Sequence, residues 1–252
     1  MSVNGKTIVV TGGSRGLGLG LVEALAEQGA KITIVARDAT ALAAARRRFG
    51  VETIAADVAE EGAAQRILAQ ARPEVLVLNA GAVPRMGRLD QLSWADFTVP
   101  WETDVKAGLY WIQAALNLPL APGARVLVGS SGAAQQGSPL SGGYAGAKRM
   151  LWIMAKYANG VAAQKGLNIR FQAIVPQQII GETGVGDEAS TVYARAMGVE
   201  REAFLKRFGA PMPPRKFGDH VVALLEDPRY STGVAFGLKG DTGITVLEED
   251  AA

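Results

Sequence analysis

The chain of 252 residues has no cysteine and a single histidine, His220. Without thiols it cannot form disulfides, zinc–thiolate sites or cysteine nucleophiles, and one histidine cannot make a multi-histidine metal site. The 26 basic and 24 acidic residues nearly balance, and the longest basic run is Arg46-Arg47-Arg48, at a predicted helix end. This composition predicts no bound metal and no nucleic-acid partner.

Long apolar runs and a signal sequence are also missing. No apolar segment reaches the length that spans a bilayer, so we predict no membrane partner. The N-terminus is polar and shows no signal-peptide pattern, which predicts a cytoplasmic protein. Apolar residues nevertheless make up 48% of the chain, which suits a sheet covered on both faces or an oligomer.

Short apolar runs alternate with longer helical patterns, which is typical of a parallel sheet with helices on both faces. The length fits one large domain, and no linker or repeat interrupts the pattern. We therefore predict a single α/β domain over residues 1–252, doubly wound around a seven-stranded parallel sheet. The predicted strands are 7–10, 31–36, 52–55, 74–78, 125–128, 168–175 and 233–238.

Two predicted helices, 105–118 and 144–163, are apolar over most of their circumference. They carry Trp111 and Trp152, which packing against the sheet would explain. A helix that is apolar all round also has to bury its outer face, so a subunit interface is at least as good an explanation.

Residues 180–217 break the regular alternation and are rich in glycine, proline and charge. A long irregular segment in a compact domain is typically a lid or a binding loop, so we predict a substrate lid. Its larger side chains show no charge pattern that identifies a substrate, and they are Tyr193, Met197, Phe204, Phe208 and Met212.

Tyr144 and Lys148 are candidate catalytic residues because they stand four positions apart in a predicted helix. This spacing places them on one helix face, and an ammonium group near a phenol favours the phenolate. Ser131 lies thirteen positions earlier, at the end of a predicted strand, where parallel sheets place reactive side chains. A Tyr-x-x-x-Lys alone is common by chance, but its combination with this serine is more specific.

A glycine-rich turn, residues 11–18, follows the first predicted strand. The helix behind such a turn offers unpaired N–H groups to a diphosphate. The same stretch also reads as Gly-x-Ser-x-Gly around Ser14, which with His220 allows a serine hydrolase. That alternative leaves the serine, tyrosine and lysine of the previous motif without a role. The glycines that permit a sharp bend and close approach to a ligand are Gly12, Gly16 and Gly18.

In these motifs the chain resembles the short-chain dehydrogenase/reductase family over nearly its whole length. The adenine-side aspartate of that family matches Asp57, and its Asn-Ala-Gly matches Asn79-Ala80-Gly81. The resemblance implies a Rossmann-like domain, commonly assembled as a homotetramer or homodimer, with Ser131, Tyr144 and Lys148 as catalytic residues. It implies that the nicotinamide cofactor is bound by Gly12, Ser14, Arg15, Gly16, Leu17, Gly18, Arg37, Asp57, Val58, Asn79, Ala80, Gly81, Tyr144, Lys148, Pro176 and Ile179.

The chain departs from the family pattern in three places. Asp104 occupies the position of the family's fourth catalytic residue, an asparagine that acts largely through its backbone carbonyl. An aspartate carboxylate close to Lys148 would offset part of the effect of the lysine on the tyrosine. Gln177 replaces the glycine after the sixth strand, and Lys239-Gly240-Asp241 replaces the closing Asp-Gly-Gly.

The end of the second strand predicts the choice of cofactor. An acidic residue there would bind the ribose 2′-hydroxyl of NAD, whereas arginine accommodates the 2′-phosphate of NADP. Ala36 occupies the acidic position, Arg37 follows it, and Arg15 supplies a second guanidinium. These residues favour NADP, although Asp38 stands next to Arg37.

The resemblance thus predicts an NADP(H)-dependent carbonyl reductase or alcohol dehydrogenase acting on a small molecule. Tyr144 would donate a proton to the carbonyl oxygen, and Ser131 would polarise that oxygen. The main alternative is a non-catalytic NADP-binding sensor or regulatory protein, with Asp104 and Gln177 as signs of lost activity. A serine hydrolase is the third hypothesis.

Overall fold

The computed structural model describes residues 2–179, 181, 183–207 and 211–247. Its strands are β1 (Thr7–Thr11), β2 (Lys31–Ala36), β3 (Glu52–Ala55), β4 (Val75–Leu78), β5 (Arg125–Gly129), β6 (Arg170–Pro176), β7 (Ala235–Lys239) and β8 (Gly243–Val246). They form one sheet in the order β3-β2-β1-β4-β5-β6-β7-β8, in which β8 alone pairs antiparallel, with β7. The order reverses direction between β1 and β4, as in doubly wound folds.

Helices cover both faces of the sheet. They are α1 (Gly16–Glu27), α2 (Ala39–Phe49), α3 (Ala63–Ala71), α4 (Trp94–Pro100), α5 (Lys106–Asn117), α6 (Ala133–Gln136), α7 (Tyr144–Gln164), α8 (Gly184–Ala196), α9 (Arg201–Lys206) and α10 (Pro214–Glu226). A π-helical turn, Trp101–Val105, connects α4 to α5, and a 3₁₀ turn, Pro228–Tyr230, follows α10.

The central strand β1 shows why the sheet forms with two covered faces. Ile8 and Val10 pack into a core cluster with α1, α2 and α10, whereas Val9 between them packs into a second cluster with α3, α5 and α7. All three side chains are fully buried. A strand buried on both faces needs a continuous apolar run, which is the pattern by which the sequence predicted it.

The prediction of seven strands, all parallel, is corrected by β8. Gly243 has a φ of +79°, a conformation that suits glycine and lets the chain reverse directly after β7. The side chains of β8 are partly or fully exposed, so this strand lacks the buried apolar run of the central strands. The bounds of the seven predicted strands agree with the structure to within two residues.

The prediction that residues 180–217 are irregular is wrong for the described part, which contains α8, α9 and the first turn of α10. The Thr183 side chain caps α8 by accepting a hydrogen bond from a backbone N–H of its first turn. Phe217 lies within α10 and is buried in the core. Two glycines at the start of α8 lower its helix propensity and hide it in the sequence. Ile180 and Phe208 lie outside the described residues.

The side chains of Trp111 and Trp152 are both buried. The Trp111 indole N–H donates to the Val58 carbonyl at 3.0 Å, which joins α5 to the turn after β3. Core packing therefore accounts for both tryptophans. The exposed apolar side chains of α5 and α7 are Leu109, Tyr157 and Val161.

Among the described helices, none is both long enough and apolar enough to cross a bilayer. The part of the chain that the structure describes also shows no cluster of three His, Cys, Asp or Glu side chains able to hold a metal ion.

Candidate active site

A cleft of about 700 Å³ opens where the carboxyl ends of β1, β2, β4, β5 and β6 meet. Ligands of open parallel sheets bind at this edge. The sequence-predicted site residues that line the cleft are Gly12, Ser14, Arg15, Gly16, Leu17, Arg37, Asp57, Val58, Asn79, Ala80, Gly81, Ser131, Tyr144, Lys148, Pro176 and Ile179. Gly18 and Asp104 are buried and do not line the cleft.

Thr11 joins the glycine turn to the segment that follows β4. Its hydroxyl donates to the Val77 carbonyl at 3.2 Å and accepts from the N–H groups of Asn79 and Ala80 at 3.0 and 3.1 Å. The Asn79 side chain in turn donates to the Gly12 carbonyl at 3.4 Å. The two turns form one unit, and the pairing of β1 with β4 brings Thr11 into this role, which the sequence did not predict.

Gly12 and Gly18 allow three backbone segments to come into contact. Gly12 has a φ of +69°, and a Cβ there would lie 2.8 Å from the Ala80 Cα. A Cβ on Gly18 would lie 2.1 Å from the Gly12 carbonyl oxygen. The turn therefore leads tightly into α1, whose first N–H groups have no partner within the helix. This arrangement fits the diphosphate of a dinucleotide.

Arg15 and Arg37 line the cleft and are exposed. The Arg37 guanidinium lies 3.9 Å from the Asp57 carboxylate, a long ion pair in water that contributes little stability. One oxygen of Asp38 accepts a hydrogen bond from the Ala41 N–H at 3.0 Å and caps α2. Asp38 thus has a structural role that the sequence did not predict.

Tyr144 is the first residue of α7, and the glycines before it hold the helix against α4. Gly142 has a φ of +56°, and the Gly143 N–H donates to the Phe97 carbonyl at 3.1 Å. The Trp101 indole N–H donates to the Gly143 carbonyl at 3.1 Å. These contacts fix the start of α7 so that the largely buried Tyr144 faces the cleft.

Ser130 and Ser131 follow β5 but have different partners. The Ser130 hydroxyl donates to the Lys148 backbone carbonyl at 2.8 Å, which fixes α7 to the end of β5. The Ser131 hydroxyl accepts a weaker hydrogen bond from the Ala133 N–H at 3.3 Å. Ser131 is the better candidate for contacting a ligand because its hydroxyl is not bound to α7.

Lys148 lies one turn after Tyr144, with its Nζ 5.6 Å from the centre of the tyrosine ring. The same Nζ lies 2.9 Å from Oδ2 of Asp104, and both side chains are almost fully buried. Oδ1 of Asp104 accepts from the Ala82 N–H at 2.7 Å. Burial alone would lower the pKa of Lys148, but Asp104 and Tyr144 together raise it above its ordinary value.

The side chain of Asp104 reaches Lys148 from the π-helical turn. Pro100, at the end of α4, has no N–H to donate, and the regular helix gives way to the wider turn directly after it. The family resemblance assigned the role of this position largely to its backbone carbonyl. In the structure the carboxylate makes the direct contact with the lysine.

Tyr193 is a cleft residue that the sequence placed in the lid without assigning it a role. Its hydroxyl lies 2.9 Å from the Ser138 hydroxyl and accepts from the Leu140 N–H at 3.0 Å. Its ring stacks on Phe204 of α9 with the centroids 6.0 Å apart. These contacts connect α8 and α9 to the segment that precedes Tyr144.

The remaining predicted positions lie as follows. Gln177 lines the cleft, and its side-chain amide donates to the Gln135 side chain at 2.8 Å. Lys239 ends β7. His220 is buried in α10 and does not line the cleft that contains Ser14, so the geometry gives the hydrolase hypothesis no support.

Together, the reversal in strand order and the glycine turn at the cleft define a single Rossmann-like α/β domain. The sequence profile of the short chain dehydrogenase family matches residues 6–190. The chain therefore belongs to the short-chain dehydrogenase/reductase family of oxidoreductases, which use nicotinamide cofactors.

Similar proteins include fungal and bacterial dehydrogenases. A short chain dehydrogenase of Pseudocercospora fijiensis is 29% identical over 244 residues, which cover 90% of this chain and 77% of that protein. The short chain dehydrogenase/reductase AacuD of Aspergillus aculeatus is 36% identical over 153 residues, 57% of this chain. That match spans about half of AacuD, 54% of its length. A sorbitol dehydrogenase of Cereibacter sphaeroides is 25% identical and matches 86% of this chain and 87% of that protein.

Solved structures show the same fold. L-sorbose reductase from Gluconobacter frateurii, crystallised with NADPH and L-sorbose, superimposes with a TM-score of 0.76 at 23% identity. The superposition covers 95% of this chain and 97% of that one. A second structure, of a short chain dehydrogenase/reductase family protein, gives a TM-score of 0.74, also at 23% identity, over 95% of this chain and 98% of that one.

Proposed function

We propose that the protein is an NADP(H)-dependent oxidoreductase that interconverts a carbonyl compound and a secondary alcohol. The observation that carries this proposal is that Ser131, Tyr144 and Lys148 line the same cleft as the glycine turn. A nicotinamide bound in this cleft supplies the hydride that adds to the carbonyl carbon. The protein has to bind the cofactor, orient the carbonyl group and exchange one proton.

The roles of the three side chains follow from their chemistry and positions. In the reductive direction the Tyr144 hydroxyl gives its proton to the carbonyl oxygen, and solvent later returns a proton to it. The Ser131 hydroxyl donates a hydrogen bond to the same oxygen and stabilises the negative charge that develops there. Lys148 supplies positive charge beside Tyr144 and, as the family resemblance implies, binds the ribose hydroxyls.

Four observations support NADP rather than NAD. Arg15 and Arg37 line the cleft, and neutral Ala36 occupies the position where an acidic residue would select NAD. Asp38, which follows Arg37 in the chain, uses one carboxylate oxygen as a helix cap. L-sorbose reductase, which shares the fold, was crystallised with NADPH. We expect NADPH to bind at least about tenfold more tightly than NADH, a difference of about 1.4 kcal/mol.

We further propose that α8 and α9 form the substrate lid predicted for residues 180–217. Tyr193 of α8 and Phe204 of α9 line the cleft. Their contacts with each other and with Ser138 would close the substrate end of the cleft over a bound carbonyl compound. Excluding water there strengthens the hydrogen bonds to the reacting oxygen.

One observation favours the alternative of a non-catalytic NADP-binding protein. The charge of Lys148 is balanced by Asp104 at 2.9 Å, so its effect on Tyr144 is reduced. In a sensor of this kind, cofactor binding would be retained while hydride transfer would be lost.

A screen of aldehydes and ketones that follows the absorbance of NADPH separates these functions. We expect oxidation of NADPH with at least one carbonyl class, and loss of this activity in Tyr144→Phe. Tight NADPH binding without turnover on any carbonyl or alcohol compound would support the sensor instead. Failure to bind either nicotinamide cofactor would contradict both functions.

We also propose that the protein assembles as a homodimer or homotetramer. The outer faces of α5 and α7 expose Leu109, Tyr157 and Val161, apolar or aromatic side chains that a second subunit would cover. Light scattering at micromolar concentration should give a mass of two or four chains, four being the stronger expectation. A monomeric mass would contradict the proposal.

A further inference from the structure

The ion pair between Asp104 and Lys148 is held from several sides. Oδ1 of Asp104 is bound by the Ala82 N–H at 2.7 Å, and Oδ2 lies 2.9 Å from the lysine Nζ. A Cβ on Gly81 would lie 2.8 Å from Oδ2, so the backbone there packs directly against the carboxylate. Nζ also lies 3.5 Å from the Gly129 carbonyl. The carboxylate is therefore a fixed, buried charge next to the proposed proton donor.

Within the described residues, the charges that act on Lys148 come from Asp104 and Tyr144. Other charged residues on α7 and on the elements packed against it are exposed, engaged elsewhere or distant. Glu102 and Lys106 are exposed, and Asp96 binds the Ser93 hydroxyl. Arg149 lies over the ring of Trp152. Arg125 and Arg170 lie beside each other on neighbouring strands, at the amino ends of β5 and β6, which are opposite the cleft.

The net charge of the buried site formed by Asp104, Lys148 and Tyr144 determines the pH at which the site loses a proton. With Asp104 ionised, Lys148 charged and Tyr144 protonated, the three groups sum to zero. Loss of a proton then leaves a net negative charge, which burial disfavours. With a neutral residue at position 104, the same loss would take the site from net positive to neutral. Tyr144 and Lys148 are coupled, so the apparent pKa of this step belongs to the pair.

We propose that Asp104 is a positioning residue that acts through its buried ion pair with Lys148 to keep the donor proton on the Tyr144–Lys148 pair in alkaline solution. This inference rests on the proposed function. It predicts that carbonyl reduction, which needs the proton, extends to higher pH than it would with a neutral residue at position 104. Alcohol oxidation, which needs the deprotonated pair, begins at correspondingly higher pH.

The pH–rate profile of Asp104→Asn tests the proposal. Asparagine keeps an oxygen to accept the Ala82 N–H, while the charge is lost and an amide NH2 replaces the oxygen that faces the lysine Nζ, so the ion pair is removed. We expect the alkaline fall of kcat/KM for reduction and the rise for oxidation both to move down by about one pH unit or more. Turnover at the optimum should stay within about tenfold of the wild type. Glu52→Gln, which removes an exposed carboxylate at the opposite end of the sheet, is the matched control. It should shift neither the alkaline fall of kcat/KM for reduction nor the rise for oxidation.

A second measurement does not depend on turnover. The near-ultraviolet absorbance of tyrosinate is titrated in the wild type and in Asp104→Asn, each with and without Tyr144→Phe, so that the contribution of Tyr144 is isolated from the other four tyrosines. A downward shift of that contribution in Asp104→Asn, together with a missing carbonyl activity, would retain the inference and reject the proposed function. An unshifted tyrosinate titration together with normal carbonyl turnover would reject the inference and support the proposed function.

The fold of each variant is checked by thermal unfolding. Asp104→Ser, which is also neutral but smaller, replaces Asp104→Asn if that variant does not fold. Loss of folding in both variants would overturn the proposal, because the ion pair would then be required for structure.

Discussion

The two ends of the cleft are built in different ways. At the proposed cofactor end, Gly12, Ala36 and Asn79 stand at or directly after the ends of β1, β2 and β4. At the proposed substrate end, the wall comes from α8 and α9, which are inserted between β6 and α10. The contact between Tyr193 and Ser138 joins residues that are 55 positions apart.

The positions of the residues at the two ends are therefore fixed by different interactions. Turns that directly follow parallel strands inherit their positions from the backbone hydrogen bonds of the sheet. Inserted helices have no such register and depend on side-chain contacts, which are individually weak. We therefore expect the cofactor end to be rigid and intolerant of added atoms, and the substrate end to respond to small changes in hydrogen bonding.

Tyr144→Phe has the largest expected effect on activity, because the proton donor stands where the two ends meet. The change deletes one oxygen and keeps the ring, so the fold and NADPH binding should survive. General acid catalysis typically accounts for about 10²–10⁴-fold in rate, and kcat should fall by that factor. Tyr230→Phe, which removes a hydroxyl outside the cleft, is the control. Wild-type turnover in Tyr144→Phe would show that another group donates the proton.

Gly12→Ala tests the rigidity of the cofactor end. A residue other than glycine at positive φ costs on the order of 1–3 kcal/mol of stability. Gly50→Ala is a close control, because Gly50 has nearly the same φ, +68°, but open space around its Cβ position. Denaturant unfolding should show a loss of stability in both variants, and the loss should be larger in Gly12→Ala because its new methyl meets the backbone of Ala80. Only Gly12→Ala, whose new methyl meets Ala80, should also weaken NADPH binding by about tenfold or more.

Arg37→Ala sharpens the assignment of the cofactor. Removing this guanidinium should abolish most of the tenfold preference for NADPH, while NADH affinity changes little. Arg66→Ala removes an exposed arginine from α3 and should leave the preference intact. Titration calorimetry with both cofactors measures the two affinities. If wild-type protein binds NADPH and NADH equally, the assignment to NADP is wrong.

Tyr193→Phe has the smallest expected effect and probes the substrate end. It removes a hydroxyl that contacts Ser138 and the Leu140 N–H. Neutral hydrogen bonds contribute about 0.5–1.5 kcal/mol, so KM for the carbonyl substrate should rise about two- to tenfold. Hydrogen exchange of α8 should become faster, and NADPH affinity should not change. Thr191→Ala, which removes a hydroxyl bonded within the same helix, should alter none of these.

Much of the fold followed from local patterns. Seven strands were predicted to within two residues, six of them because buried parallel strands are largely apolar runs, whereas β3 is short and exposed or half-buried. β8, α8 and α9 were missed. β8 is short and partly exposed, and α8 begins with two glycines, so neither has a strong periodic pattern.

In the candidate site, too, local patterns predicted some features and missed others. The spacing of Tyr144 and Lys148 and the placement of Gly12 before a helix are properties of the local chain, and the structure brings them to one cleft as expected. The partners of these residues could not be predicted. Thr11 joins two turns that are more than sixty residues apart, and Asp38 serves as a helix cap.

The sequence by itself determined the alternation of strands and helices, the glycine turn and the helical spacing of tyrosine and lysine, because each depends on residues close together in the chain. Only the tertiary structure decided that Asp104 would lie 2.9 Å from Lys148, both buried. That contact requires a π-helical turn on one helix to meet the first turns of another, 44 positions later. Such a meeting is governed by packing in three dimensions, and no local pattern encodes the distance between two buried charges.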